Sequence, residues 1–306
     1  MTDNKYIICD KAETAALLDF AQLRDALEKA SQEYTQGQIS SPERMVVPMA
    51  LGGVMLSMPA VSEDLAIHKL VNVQPKNREL NLPTIHGHVS VYDAETGSPL
   101  FILDGPEVTG RRTAAVTMLV MRTFKASLPK EILIIGTGMQ ATYHLQAIQA
   151  LYPDSKVWMR GINAADAQQF CANNRGVHAN LHPCADEEVP AAVDVIITLT
   201  TSTVPVYNQS GQAGRLVVGV GAFKPEMAEI GKNTLFSSDI YIDDPAGAMH
   251  EAGDLIQAGV DWSQTRSLAS AFTEKPDLTR PIVFKSVGTG AWDLAACRVA
   301  RAKLGL

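Results

Sequence analysis

The sequence predicts an α/β protein: a parallel sheet with helices on both faces, inserted into an α+β region assembled from the two ends of the chain. Three observations carry this expectation. From about residue 113, short apolar segments alternate with helical ones, at 131–135, 139–151, 157–160, 164–173, 194–200, 216–220, 240–242 and 282–287. That is the pattern of strands joined by right-handed crossovers. Before it, at 45–47, 54–56, 65–73, 88–92 and 100–103, the segments are short, β-rich and separated by Pro, Gly and Asn, as in a mostly antiparallel sheet. The last segment, 292–303, is again helical, and no low-complexity linker sets it apart. Residues 1–113 plus 291–306 are therefore expected to form the outer region, and 114–290 the inserted one.

The elements follow in order. Asp19 opens a helix with Gln22 three residues on; Phe20, Leu23, Leu27, Ala30 and Tyr34 recur at helical spacing until Gly37, a cap, an apolar face and a stop. Asp93-Ala-Glu-Thr-Gly97-Ser98 joins two of the early strands as a hairpin. A helix is expected to begin at Ala114, just after Arg111-Arg112-Thr113.

The inserted region opens with the most informative motif. Glu131-Ile-Leu-Ile-Ile135 runs into Gly136-Thr-Gly138-Met-Gln-Ala141 and then an amphipathic stretch. A buried strand, a glycine turn and a helix start in this order cradle a dinucleotide pyrophosphate on backbone N–H groups. Gly136 permits the turn, Gly138 lets the backbone approach the phosphates, and Ala141 lets helix and strand pack closely. A Rossmann domain is therefore expected. The next strand, Lys156-Val-Trp-Met-Arg160, has no carboxylate at its tip, where an NAD site would hold the ribose 2′-hydroxyl. Arg160 stands there, followed by Asn163, which suits a 2′-phosphate. NADPH is the expected cofactor, with NADH possible.

Bulk properties exclude other classes. With 306 residues, 46% of them hydrophobic, the chain can bury a large core. Its net charge of -7 argues against nucleic acid or an anionic membrane as partner. The first residues, Met1-Thr-Asp-Asn-Lys5, carry no leader pattern, and no apolar run approaches the ~18 residues of a membrane span; a cytoplasmic location is expected. Cys9, Cys171, Cys184 and Cys297 are scattered, so reduced, buried thiols and no metal are expected. The G-x-S-x-G, H-E-x-x-H and paired-carboxylate templates find no support.

In the outer region, cations stand in unusual places. Arg44 precedes an apolar strand, Lys69 sits inside the apolar run 65–73, and Arg112 lies in the 111–113 segment. A lysine in a buried strand needs a partner. Three cations in one place would hold a small carboxylate, although each alone also fits a structural ion pair.

The runs Pro42-Glu-Arg44, His68-Lys69-Leu-Val-Asn-Val-Gln-Pro75, Asp104-Gly105, Thr109-Gly-Arg-Arg112-Thr113-Ala-Ala115 and Gly136-Thr-Gly138-Met-Gln140-Ala-Thr-Tyr-His144-Leu resemble the ornithine cyclodeaminase/mu-crystallin family, in order and over nearly the whole chain. The resemblance implies a dimerisation and substrate domain around an inserted Rossmann domain. It implies that Arg44, Lys69 and Arg112 hold a substrate carboxylate beside the nicotinamide. It also implies that Thr113, Gly138, Met139, Gln140, Arg160, Thr200 and Val220 line the cofactor site.

Within the family, the cyclodeaminases use an aspartate two residues before a proline; in Gly219-Val-Gly-Ala-Phe223-Lys224-Pro225-Glu226 that position is Phe223. A phenyl ring cannot accept the amine proton. The segment 225–229, with Glu226 and Glu229, and the ending Ser286-Val-Gly288-Thr-Gly-Ala-Trp292-Asp293-Leu-Ala-Ala296 resemble instead the ketimine reductases, which reduce Δ1-pyrroline-2-carboxylate to proline and Δ1-piperideine-2-carboxylate to pipecolate. The expectation is thus an enzyme, an NAD(P)H-dependent cyclic ketimine reductase acting as a homodimer. An ornithine cyclodeaminase, a related amino-acid dehydrogenase and a non-enzymatic NADPH-binding protein are the alternatives. Arg44 and Arg112 would clamp the carboxylate, and Lys69, its pKa lowered by two arginines, would bind it or relay the imine proton. His86 and His88 are alternative acids, and Ser57 is expected to reach the same pocket.

Overall fold

The structure, a computed structural model, describes residues 6–184 and 189–306; the opening 1–5, read above for a leader, lie outside them. The first elements are β1 (Ile7–Ile8), α1 (Lys11–Leu17), α2 (Phe20–Thr35), β2 (Met45–Pro48), β3 (Val54–Val61), β4 (Leu65–Val73), β5 (Ile85–Asp93), β6 (Pro99–Asp104) and α3 (Gly105–Phe124). Next come β7 (Glu131–Ile135), α4 (Met139–Leu151), β8 (Lys156–Arg160), α5 (Ala164–Asn174), β9 (Leu181–Pro183), β10 (Val195–Thr198) and β11 (Leu216–Gly219). The chain continues through α6 (Lys232–Phe236), β12 (Asp239–Ile242), α7 (Pro245–Glu251), α8 (Gly253–Ala258), β13 (Thr265–Ser267), α9 (Ser270–Thr273), β14 (Ile282–Lys285) and α10 (Gly290–Leu304). These form two compact units: the chain up to Ala115 together with Thr289–Leu306, and Val116–Gly288.

In the first unit the strands run β1-β6-β5-β4-β3-β2, antiparallel except for the β1–β6 pair. Strand alternation sets two faces. Leu65, Ile67, Lys69 and Val71 of β4 point to the buried face, with Ala66, His68 and Leu70 on the other. The buried face carries α10, which packs on α2, β3 and β4, with Trp292 of α10 edge-on to Tyr34 of α2. Asp19 caps α2 by accepting the N–H groups of Ala21 and Gln22, each at 3.0 Å. Arg298 of α10 reaches both Glu33 of α2 and Asp64 in the β3–β4 turn, fastening the chain's two ends together.

The second unit is a parallel sheet in the order β13-β12-β14-β11-β10-β7-β8-β9. Strands β10, β11 and β14 are buried throughout, as is β7 after Glu131; hence their largely apolar sequences, with Thr198 and Lys285 at the C-terminal ends of β10 and β14. From β7 the chain builds outward one way through β8 and β9, then returns to build the other way through β10 and β11. Ligand crevices open at such a reversal, at the C-terminal strand ends.

One expectation needs correction. α3 begins at Gly105, not at Ala114, so Arg111, Arg112 and Thr113 lie inside a helix. Asp104 caps it, accepting the Glu107 N–H at 2.7 Å, and Pro106 and Gly105 are tolerated in a first turn rather than breaking it. Gly105 is required there, because a Cβ would stand 2.8 Å from the β5 backbone. The short elements β1, α1, β9, β13 and α6–α9 were not foreseen; α1 nevertheless carries a full capping box, Asp10 with Glu13.

Candidate active site

In the first unit, Lys69 and Arg112 meet on a single carboxylate. Asp293, fully buried in the first turn of α10, has Oδ2 at 2.5 Å from Lys69 Nζ and Oδ1 at 3.1 Å from Arg112 Nε. Lys69 is 2% exposed and Arg112 7%. Burial of this kind requires the pairing, since isolated buried charge is very costly. Arg44, immediately before β2, is near enough that its charge bears on Lys69. Two cations thus share one carboxylate, with a third in electrostatic range of Lys69. Among the described residues the two terminal nitrogens of Arg112 make no hydrogen bond, so they remain to receive an anion.

The Lys69 pKa falls to about 8. Burial is the largest cause; Asp293 opposes it, and the Arg112 and Arg44 charges add to it. The neighbouring Arg111 has no share in this. On the helix it turns about 100° away from Arg112, donates from Nε to Glu107 at 2.8 Å and from a terminal nitrogen to the Leu18 carbonyl at 3.1 Å, and stacks over Phe20.

Three expected site residues are not brought to this cluster. Lys69 pairs with Met58 and Val89 and shares their buried face, whereas Ser57, His86 and His88 fall on the opposite face of the sheet. Ser57 Oγ instead bonds His68 Nε2 at 2.8 Å, and both His86 and His88 are exposed. Strand alternation is the physical reason, and it excludes all three from the Lys69 side.

The second unit presents a crevice at the C-terminal ends of its strands. Gly136 follows β7 with φ +116°, and a Cβ there would stand 2.8 Å from the Leu199 carbonyl oxygen beyond β10. A Cβ on Gly221, beyond β11, would stand 2.1 Å from the Thr200 oxygen. These loops touch backbone to backbone. Gly138 caps α4 with no side-chain hydrogen bond, and its Cα faces open space. Thirteen residues of helix thus end on uncapped N–H groups facing the crevice, as pyrophosphate recognition requires. His144 braces the turn. Buried and held neutral, its pKa lowered to about 4 by burial, it donates from Nδ1 to the Gln140 carbonyl at 2.8 Å and accepts at Nε2 from Thr117 at 2.9 Å.

The remaining expected cofactor residues are placed on the same strand ends. Met139 and Gln140 open α4, Arg160 closes β8, and Thr200 and Val220 follow β10 and β11. Arg160 approaches the Cys184 sulfur at 3.5 Å. Asn163 caps α5 by accepting the Asp166 N–H at 2.9 Å. Thr113 is buried in α3, in the first unit. The glycine cradle, the bare helix end and the absence of a carboxylate at the β8 tip fit a nicotinamide dinucleotide. No group of three or more His, Cys, Asp or Glu among the described residues could hold a metal ion. No described helix is long and apolar enough to cross a membrane.

The model of the ornithine cyclodeaminase/mu-crystallin family matches residues 4–304. Δ1-Pyrroline-2-carboxylate reductase 2 of Burkholderia ambifaria is 53% identical over 292 residues, covering 95% of this chain and 94% of that protein. The Δ1-pyrroline-2-carboxylate/Δ1-piperideine-2-carboxylate reductase of Azospirillum brasilense is 52% identical over 294 residues, covering 96% and 94%. Among solved structures, Thermococcus litoralis Δ1-pyrroline-2-carboxylate reductase in complex with NADH and L-proline superposes with a TM-score of 0.87. It covers 98% of each chain at 22% identity, a likeness of fold.

The Lys69 cluster gives a signed test. The Lys69 ammonium should titrate near pH 8, followed through the Cε resonance of ¹³C-lysine-labelled protein. Asp293→Asn removes the anion that favours the charged form and should lower that pKa; Arg112→Gln removes a competing cation and should raise it. Shifts in the opposite directions would mean the three groups are not electrostatically coupled as placed.

Proposed function

The chain belongs to the ornithine cyclodeaminase/mu-crystallin family, and from that premise we propose that it is an NAD(P)H-dependent ketimine reductase. It reduces Δ1-pyrroline-2-carboxylate to L-proline and Δ1-piperideine-2-carboxylate to L-pipecolate. The observation that carries this reading is the convergence of Lys69 and Arg112 on Asp293 with Arg44 close by, a surplus of buried positive charge suited to an imino-acid carboxylate, in a chain 53% identical to a reductase of that substrate.

Each residue has a task. Arg44 and Arg112 clamp the carboxylate, and the planar guanidinium fixes its orientation as well as its charge. That clamp sets where the imine carbon lies, and orientation of this kind is worth several kcal/mol of barrier. The bound nicotinamide supplies the hydride. Lys69, with a pKa near 8, is charged at neutral pH yet able to give up its proton, so it serves the imine nitrogen or the carboxylate. Asp293 keeps the lysine charged and aims Arg112. Phe223 stands in the loop after β11, where the cyclodeaminases of the family place their aspartate, and its phenyl ring cannot receive the amine of ornithine.

Arg160 at the tip of β8 favours NADPH over NADH through its pairing with the 2′-phosphate. The working form is a homodimer. Strand β2 and its surroundings expose Met45, Val46, Val47, Leu51 and Ile85, an apolar surface that a second copy would bury. The protein resides in the cytoplasm, in keeping with four scattered, buried cysteines.

Three measurements follow from this reading. Arg44→Met, Lys69→Met and Arg112→Met should each lower kcat/KM for Δ1-piperideine-2-carboxylate while NADPH binding stays near wild type. The cost expected for stripping a buried ion-pair partner is about 3–5 kcal/mol, a hundred- to several-thousand-fold. L-Ornithine should release no ammonia; wild-type-like reduction by all three variants, or brisk ammonia release, defeats the proposal. Arg160→Ala should narrow the NADPH/NADH preference by about 1.5–3 kcal/mol, and an unchanged ratio of kcat/KM values would clear Arg160 of that role. Light scattering at micromolar concentration should give twice the 32.9 kDa chain mass, and a monomer mass rules out the dimer.

A further inference from the structure

Beneath the cofactor crevice lies a second set of buried charges, distinct from the Lys69 cluster. Glu229, Asp254 and Lys285 are 0%, 1% and 0% exposed. Every acceptor of the Glu229 carboxylate is committed to the two loops at the strand ends. Oε1 receives the Thr200 N–H at 2.5 Å and the Thr200 hydroxyl at 2.9 Å. Oε2 receives the N–H groups of Gly221 at 2.6 Å and Ala222 at 3.1 Å. Three of these four donors are backbone N–H groups, which can only donate, so the group that satisfies them is a carboxylate ion. Burial raises the Glu229 pKa and the Asp254 charge adds to the rise, while the Lys285 charge and the Thr200 hydrogen bonds oppose it.

The anion is in turn anchored. Asp254 Oδ1 accepts the backbone N–H groups of Glu229 and of Ile230, the latter at 2.7 Å. Its other oxygen is 2.5 Å from Lys285 Nζ. Lys285 is the last residue of β14, paired in the sheet with Gly219 of β11. Asp254 sits in the first turn of α8, whose Gly253 has room for no side chain: a Cβ would lie 2.1 Å from the Met227 oxygen and 2.3 Å from that of Lys224. The sheet fixes the lysine, the lysine fixes the aspartate, and the aspartate fixes the glutamate beneath both loops.

We propose that Glu229 is a positioning residue for the nicotinamide cofactor, holding the Thr200 loop and the Gly221 loop at the separation the cofactor needs, with Asp254 and Lys285 as its anchor. The proposal rests on the reading of the second unit as the NAD(P)H site, in which Thr200 and Val220 face the cofactor. Placement supports a role in binding. A buried ionic chain is poor value for stability alone, since well-packed apolar groups serve at least as well. All four of its loop donors, moreover, belong to residues beyond the C-terminal ends of β10 and β11, where the crevice opens. The crevice tolerates little movement, because the Thr200 and Gly221 backbones are already in contact.

Glu229→Gln is the test. The amide keeps the shape but must turn its NH2 toward backbone N–H groups, donor against donor. Three quantities are read: the NADPH dissociation constant from nicotinamide fluorescence, the melting temperature of the apoprotein, and KM for Δ1-piperideine-2-carboxylate at saturating NADPH. The expected result is an NADPH dissociation constant raised about tenfold or more, with the imine KM within about twofold of wild type. A variant that melts earlier but binds NADPH as wild type does would make Glu229 a purely structural residue and overturn the proposal. Should Glu229→Gln not yield folded protein, Asp254→Asn is read by the same criteria: weakened NADPH binding with an unchanged imine KM supports the anchor, and unchanged NADPH binding refutes it. Wild-type protein that binds no nicotinamide cofactor would defeat the underlying reading, an outcome separate from a variant that binds as well as wild type.

Discussion

A lysine and an arginine cannot both be withdrawn from water unless an anion meets them, and in the first unit that anion is Asp293. Its two oxygens are divided between Lys69 and Arg112, which come from β4 and α3. Asp293 itself comes from α10, over two hundred residues after Lys69 in the chain. The return of the C-terminal helix to the N-terminal sheet is therefore a condition of the site as well as of the fold. Removing one partner would leave the others buried and uncompensated, at about 3–5 kcal/mol, a large share of a typical protein's net stability. With Arg44 in electrostatic range of Lys69, the cluster holds more positive than negative charge, which is the basis of the proposed carboxylate site.

Much of this was legible in the sequence, for identifiable reasons. Parallel strands buried on both faces read as unbroken apolar runs, which is why Glu131-Ile-Leu-Ile-Ile135 and the glycines after it stood out. Lys69 was conspicuous as a charge inside such a run. The errors also have physical causes. Asp104-Gly105-Pro106-Glu107 looks like a break but is a capped helix start, and mistaking it placed Arg112 outside the helix that orients it. His86 and His88 are candidates as alternative acids and Ser57 as a residue of the same pocket, although the period-2 pattern of 65–73 together with pairing sets all three on the other face; the pairing register is a tertiary fact that no single strand reveals. Asp293 was noticed only as part of a resemblance. Nothing local distinguishes a helical Asp in Ala-Trp-Asp-Leu from a solvated one, and only the packing of α10 on β4 shows that it is buried. Glu229 likewise stands out only through the resemblance, and Asp254, which opens a six-residue helix, has no periodicity to betray it.

The two units solve one problem with opposite balances of charge. Each buries a lysine against an aspartate at 2.5 Å. Around Asp293, cations outnumber the anion, and the unused capacity is that of donors: among the described residues no hydrogen bond engages the terminal nitrogens of Arg112. Around Asp254, anions outnumber the cation, yet the excess acceptors are consumed internally by Thr200, Gly221, Ala222 and Ile230. A surplus left unsatisfied is a ligand site, because only an incoming group of opposite charge completes it. A surplus satisfied by the protein's own backbone is a brace, because its hydrogen bonds fix the shape of the chain. Under the proposed function, the same buried Lys–Asp unit serves substrate recognition in one place and the shape of a cofactor loop in the other, and what separates the two is whether the neighbouring backbone offers N–H groups to absorb the charge that remains.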